Sequence, residues 1–154
     1  MTAFAGPAEE ISGLFLQSCL PNAGNPAALR QWAAHAKLPE LPDPARAAFL
    51  HGAPGKVFDA SNGEGKFVLL SSDDGLCAVV TDRAADRETV QALERALGAA
   101  GIQFRLVAER NDKLDPKLRH REYLATGSGR VWRILASTVQ GSAADQAMLT
   151  AGPE

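Results

Sequence analysis

Lys66–Thr81, KFVLLSSDDGLCAVVT, holds two short apolar runs, Phe67–Leu70 and Leu76–Val80, on either side of Ser71-Ser72-Asp73-Asp74-Gly75. Apolar runs of this length bounded by turn-forming residues predict the two strands of a buried antiparallel hairpin. The remaining segments are placed by what they pack against this pair.

Upstream, Pro7–Cys19 predicts a helix: Pro7 suits the first turn, Glu9 and Glu10 complement the positive helix end, and Ile11, Leu14, Phe15, Ser18 and Cys19 recur at helical spacing. Asn25-Pro26 caps a second helix with Leu29, Trp32, Ala33 and Ala36 on one face, and Asp43-Pro44 opens a short third one ending near Gly52. Val57-Phe58-Asp59 predicts a first strand returning through Asn62–Gly65. Downstream, Asp86 begins a helix carrying Val90, Leu93 and Leu97, and Ile102–Ala108 alternates as a strand. His120–Thr126 and Val131–Val139 predict a last hairpin around Gly127-Ser128-Gly129. The expected fold is therefore α+β. An antiparallel sheet of five to six strands in βββ-α-βββ order carries the N-terminal helices and one crossover helix on one face. Residues 1–140 form a single domain and residues 141–154, which lack a strong period, a loose C-terminal tail.

A chain of 154 residues with 45% hydrophobic and 22% charged residues fits one globular domain with an ordinary core. No apolar run approaches the roughly 20 residues that span a bilayer. The two cysteines, Cys19 and Cys77, fall on the first helix and the second hairpin strand. An even cysteine count reads as a bridge in an exported protein and as two separate core thiols in a reducing compartment. Ala3-Phe4-Ala5 has the small-residue pattern that precedes a signal-peptidase cut, although no basic or apolar segment stands before it. The expected compartment is periplasmic or secreted; the cytoplasmic alternative predicts two free thiols.

Charge is distributed unevenly. Residues 103–133 hold eight Lys and Arg against four Asp and Glu, a local +4 in a chain of net −2, which leaves −6 elsewhere. Arg105, Arg119, Arg121, Tyr123, Arg130, Trp132 and Arg133 are the candidate partner-binding residues of this ribbon. A basic ribbon of this kind grips a phosphate backbone or an acidic protein face; the interleaved acids and the acidic whole argue against nucleic acid, which leaves an acidic protein partner, with an ordinary solvated sheet face as the plainer reading. His35, His51 and His120 lack ligand spacing, so no metal or cofactor is expected, and solvated or capping roles are assigned to them. Cysteines in apolar surroundings are inert as nucleophiles. The pairs Gly63/Gly65 and Gly127/Gly129 lack a phosphate-loop fingerprint, Asp73-Asp74 is turn chemistry, and no Ser, Thr or Lys stands in a nucleophile motif.

Phe15-Leu16-Gln17-Ser18-Cys19 together with Gly75-Leu76-Cys77-Ala78-Val79 resembles small exported bacterial proteins of unassigned function that carry a single cysteine pair. The resemblance covers the first half of the chain and implies export and a cysteine bridge, with no catalytic residues to carry over. The expectation is a non-catalytic exported interaction domain, inhibitor- or immunity-like. The alternative is a small-ligand binder or enzyme with Trp32, Phe49 and Phe58 lining an apolar cleft between the N-terminal helices and the sheet.

Overall fold

A computed structural model describes residues 6–140 and 146–153. The Ala3-Phe4-Ala5 pattern lies outside them. Four helices, α1 (Pro7–Asn22), α2 (Pro26–His35), α3 (Asp43–Leu50) and α4 (Asp86–Ala99), accompany seven strands. The strands are β1 (Gly55–Asp59), β2 (Phe67–Ser72), β3 (Cys77–Thr81), β4 (Gln103–Asn111), β5 (Leu118–Gly127), β6 (Arg130–Val139) and β7 (Ala147–Pro153). All pairings are antiparallel and the strand order is β1-β2-β3-β7-β6-β5-β4. The α+β class holds, with one strand more than the sequence predicts.

The hairpin at the start of the argument forms as expected, Ser71 opposite Cys77 and Leu69 opposite Val79. Its turn is closed by the Asp74 carboxylate, which accepts from the Leu76 N–H at 3.1 Å. Gly75 adopts φ +100°, and an added Cβ would come within 3.0 Å of the Gly24 Cα. Here the chain needs glycine both for its backbone angle and for the close approach, which is secured by Gly24 N–H donating to Gly75 O at 2.9 Å.

The front face of the sheet, carrying Phe58, Leu69, Val79, Leu149, Ala136 and Tyr123, is covered by α1, α2 and α4. Ile11, Phe15 and Cys19 of α1, Leu29 and Ala33 of α2, and Leu93 and Leu97 of α4 are all buried against it. The expectation that every helix lies on this face is corrected by α3. Its Leu50 packs with Val57, Leu70 and Ala78 on the back face, and Phe49 packs against the same cluster. Over β4, β5 and β6 the back face carries no helix among the described residues.

The loose tail is also corrected: residues 147–153 form β7, which lies between β3 and β6 in mid-sheet. Ala147, Leu149 and Ala151 are buried on the front face, and the small alanines let α1 approach closely. Ala and Gly have low strand propensity, so pairing on both sides, not local preference, makes this segment a strand.

The two sheet edges differ. Along β1, Leu41 N–H donates to Val57 O and Asp59 N–H donates to Pro39 O, both at 2.8 Å, so residues 39–41 cover that edge. No backbone segment among the described residues pairs with the outer edge of β4.

Candidate functional site

Cys19 and Cys77 form a disulfide with their Cα atoms 5.3 Å apart, joining α1 to β3 in the core. Both residues are fully buried. A bonded, buried pair offers no thiolate, so neither sulfur can act as a nucleophile.

The seven candidate partner-binding residues separate once folded. Tyr123 and Trp132 are buried and face the core, so neither is a surface contact. Tyr123 donates its hydroxyl to Glu94 Oε2 at 2.8 Å, and burial followed by that contact holds the phenol well above its ordinary pKa. Trp132 Nε1–H donates to Leu20 O at 2.7 Å. Arg130 stacks over the Trp132 ring and donates to Pro21 O and Ala23 O. These two side chains satisfy carbonyls left open at the C-terminal end of α1, where Pro21 precludes regular continuation. Arg121 pairs with Asp86 at 2.7 Å and with Glu109, Arg119 pairs with the same Glu109, and Arg133 pairs with Glu122. Arg119, Arg121 and Arg133 are therefore ion-paired, but Glu109 and Glu122 are already counted in the +4; Asp86, from the start of α4, is an acid from outside the ribbon that linear charge counting does not place beside it. Arg105 is the one of the seven with no hydrogen bond or ion pair among the described residues.

Asp86 is buried enough to raise its pKa, but the hydrogen bonds from Arg121 and Thr138 and the Arg121 charge outweigh burial and hold it below the ordinary value of 3.8. A carboxylate lowered on folding contributes stability that is present above the unfolded pKa and lost as pH falls through the folded one. Asp86→Asn is expected to cost about 1–3 kcal/mol at neutral pH, since it leaves Arg121 short of a partner. It also flattens the loss of stability below about pH 4. Urea midpoints for the wild type and the variant from pH 6 to 2 check both effects; parallel curves would remove Asp86 from the acid-sensitive groups.

A second polar group was not legible as a motif. His120 Nδ1 lies 2.8 Å from Ser137 Oγ, and His120 Nε2 lies 2.9 Å from Asp112 Oδ1. The two-residue turn Ser128-Gly129 places His120 opposite Ser137 in the β5–β6 ladder, so counting outward from that turn finds the pair. With a neutral ring, Nε2–H donates to Asp112 and Nδ1 accepts the Ser137 hydroxyl. A serine, a histidine and a carboxylate in line can activate a nucleophile when donors converge on the developing oxyanion. Here Ser137 sits inside β6 with β5 on one side and β7 on the other, so its own N–H belongs to the ladder. Asp112 also accepts from Leu114 N–H and Asp115 N–H. We assign this chain of contacts to holding the 112–117 turn against the sheet. The His120 contact, first, and these backbone donors hold the Asp112 carboxyl below its usual range.

What remains uncommitted is the β4 edge. Arg105 and Arg110 are exposed and unpaired among the described residues, whereas the nearby acids Glu109, Asp112 and Glu122 all have partners. Leu106 and Val107, between the two arginines, are 47% and 37% exposed.

The cleft expected from Trp32, Phe49 and Phe58 does not form. Phe58 lies in the front core, Trp32 packs against that core, and Phe49 belongs to the back-face cluster, so the sheet separates them. A depression of about 270 Å³ does lie between α1 and β2, but Glu9, Glu10, Gln17 and Asn62 line much of it. One of about 400 Å³ beside Phe49, Val68 and Val80 opens on the back face. His35 Nδ1 contacts Gln31 O, and His51 occupies the left-handed C-cap of α3, in line with capping roles.

No family model matches the chain, and no curated protein matches it. Among the described residues no helix is long and apolar enough to cross a membrane, and no cluster of three or more His, Cys, Asp or Glu side chains could hold a metal ion.

Proposed function

We propose that this is an exported, non-catalytic interaction domain that binds an acidic protein partner through its β4 side. The observation that carries the proposal is the pair of uncompensated arginines, Arg105 and Arg110, on an uncovered sheet edge whose neighbouring acids are already paired. Positive potential of this kind steers and orients an acidic surface more than it adds raw affinity. The Cys19–Cys77 bridge supports export, because disulfides persist in oxidising compartments. A role as inhibitor or immunity partner of an acidic toxin or hydrolase suits a domain of this size and rests on analogy.

The test compares the full chain with Arg105→Glu/Arg110→Glu, both exposed positions whose reversal leaves the melting temperature nearly unchanged. Affinity purification from the native cells at low salt is expected to retain an acidic protein on the wild type. The double variant loses it, and the wild type releases it as the Debye length shrinks to about 3 Å near 1 M salt. An identical retained set for both proteins, indifferent to salt, contradicts the proposal.

A further inference from the structure

We infer that the partner is engaged by strand addition: an extended acidic segment pairs with the outer edge of β4, its acids spaced four residues apart. This rests on the reading of an acidic partner given above and specifies how that partner is held.

The ladder between β4 and β5 sets the spacing. Arg105 stands opposite Leu124 and Arg110 opposite His120, so five steps along β4 match four along β5, and the extra residue is taken up in a bulge between Leu106 and Ala108. Leu124 and His120 share a face because side chains alternate with period two. The bulge therefore returns both arginines to the same face, the back face that no helix covers at this end. In a regular strand they would lie on opposite faces. Four ladder steps correspond to about 13 Å, the span between the first and fifth residues of an added strand.

The other face of the edge specifies what lies between the acids. Leu106 stands opposite Tyr123 and is 47% exposed, and Phe104 packs edge-on against Tyr123 with ring centroids 5.9 Å apart. The second and fourth residues of the incoming strand would project to this side, one over Leu106 and the other beside Glu109, which is already paired with Arg119 and Arg121. The pattern recognised is two acids four residues apart with an apolar residue at the inner position over Leu106, and valine at both inner positions supplies it in either strand direction. Strand addition to an exposed edge takes its affinity from main-chain hydrogen bonds and its selectivity from alternate side chains.

Charge selects this occupant over a second copy of the chain. Two β4 edges meeting antiparallel about their centres would set Arg105 of one against Arg110 of the other on the same face, and like charges directly opposed in a ladder are destabilising. Bulges and edge cations are the devices that stop sheets from pairing with themselves. Here the same devices leave a matched site for carboxylates. The β1 edge offers no equivalent, being occupied by residues 39–41.

The probe is a fluorescein-labelled nine-residue peptide, acetylated and amidated, of sequence Ser-Thr-Glu-Val-Thr-Val-Glu-Thr-Ser, titrated with the full chain by anisotropy. Moving one glutamate by one position is expected to weaken binding at least about tenfold, because the two acids then lie on opposite faces. Two further peptides carry backbone N-methyl groups on alternate residues in opposite phases. One phase, blocking the donors that face β4, abolishes binding, and the other leaves it within about twofold. Arg105→Glu/Arg110→Glu loses the glutamate peptide and gains the same peptide with lysines in place of glutamates. Absence of binding at millimolar protein, or equal effects of the two methylation phases, overturns strand addition. If the charge-reversed protein still loses its natural partner in that case, the acidic-partner reading survives. If charge reversal changes neither peptide nor partner, both fall.

Discussion

Cys19→Ala/Cys77→Ala is expected to lower the free energy of unfolding by about 4 kcal/mol, the chain-entropy value for closing a loop of this length. The bridge spans a sequence separation of 58 and joins the first helix to an interior strand, so its removal frees the loop of residues 19–77 in the unfolded state. In a domain of this size that corresponds to a fall in melting temperature of roughly 10 °C. Part of the loss is local, since both side chains are fully buried and alanine fills less of the site. Urea denaturation of the double variant, and of wild type reduced in denaturant and refolded with reductant present, checks the value. Both should show a displaced midpoint, that of the double variant at least as far as that of the reduced wild type. A shift worth less than about 1 kcal/mol would mean that the reduced chain retains the α1–β3 contact in its unfolded ensemble.

A chain ended after Gln140 is expected to lose cooperative unfolding altogether. Without β7 the sheet becomes two three-stranded pieces, β1-β2-β3 and β6-β5-β4, each with a new open edge in what was the middle of the core. Ala147, Leu149 and Ala151 leave the front face at the same time, opening the space beneath α1. Near-ultraviolet circular dichroism and amide spectra report the outcome: retained tertiary signals would make β7 dispensable. The single substitution Leu149→Ala gives a graded version, about 2–5 kcal/mol, in a chain that still folds.

The contrast between these two predictions shows what the sequence carried. Both cysteines lie on segments with strong local signals, a helical stripe through Ile11, Phe15 and Cys19 and a compact apolar strand around Cys77, so their meeting in one core could be anticipated. The 147–153 strand gives no such signal. Ala147, Ala151 and Gly152 suit a strand only because β3 and β6 flank them and a helix passes close above, information held elsewhere in the chain. The seventh strand and the placement of α3 on the back face depend on the same non-local contacts.

The candidate site divides in a similar way. The basic excess of residues 103–133 is plain in the sequence, but where its side chains are held is not. Asp86 reaches Arg121 from the start of α4, and Arg130 and Trp132 are spent on the end of α1. Arg110 is one of the ribbon's eight cations and lies five positions from Arg105. It becomes the partner of Arg105 only through the Leu106/Ala108 bulge, which no propensity rule announces. The Ser137–His120–Asp112 contacts were recoverable in part, because a two-residue turn fixes the register of β5 against β6, while the reach of Asp112 from the far side of β5 depends on the 112–117 turn.

In the proposed mode of binding the β4 edge is open to a partner strand, whereas the β1 edge is closed by residues 39–41. Hydrogen–deuterium exchange of the full chain, with and without the acidic nine-residue peptide at saturation, measures this directly. Slowed exchange confined to amides of residues 103–111, with residues 55–59 unchanged, is the predicted result. Protection spread over the depressions beside α1 or Phe49, or none along β4, would contradict it.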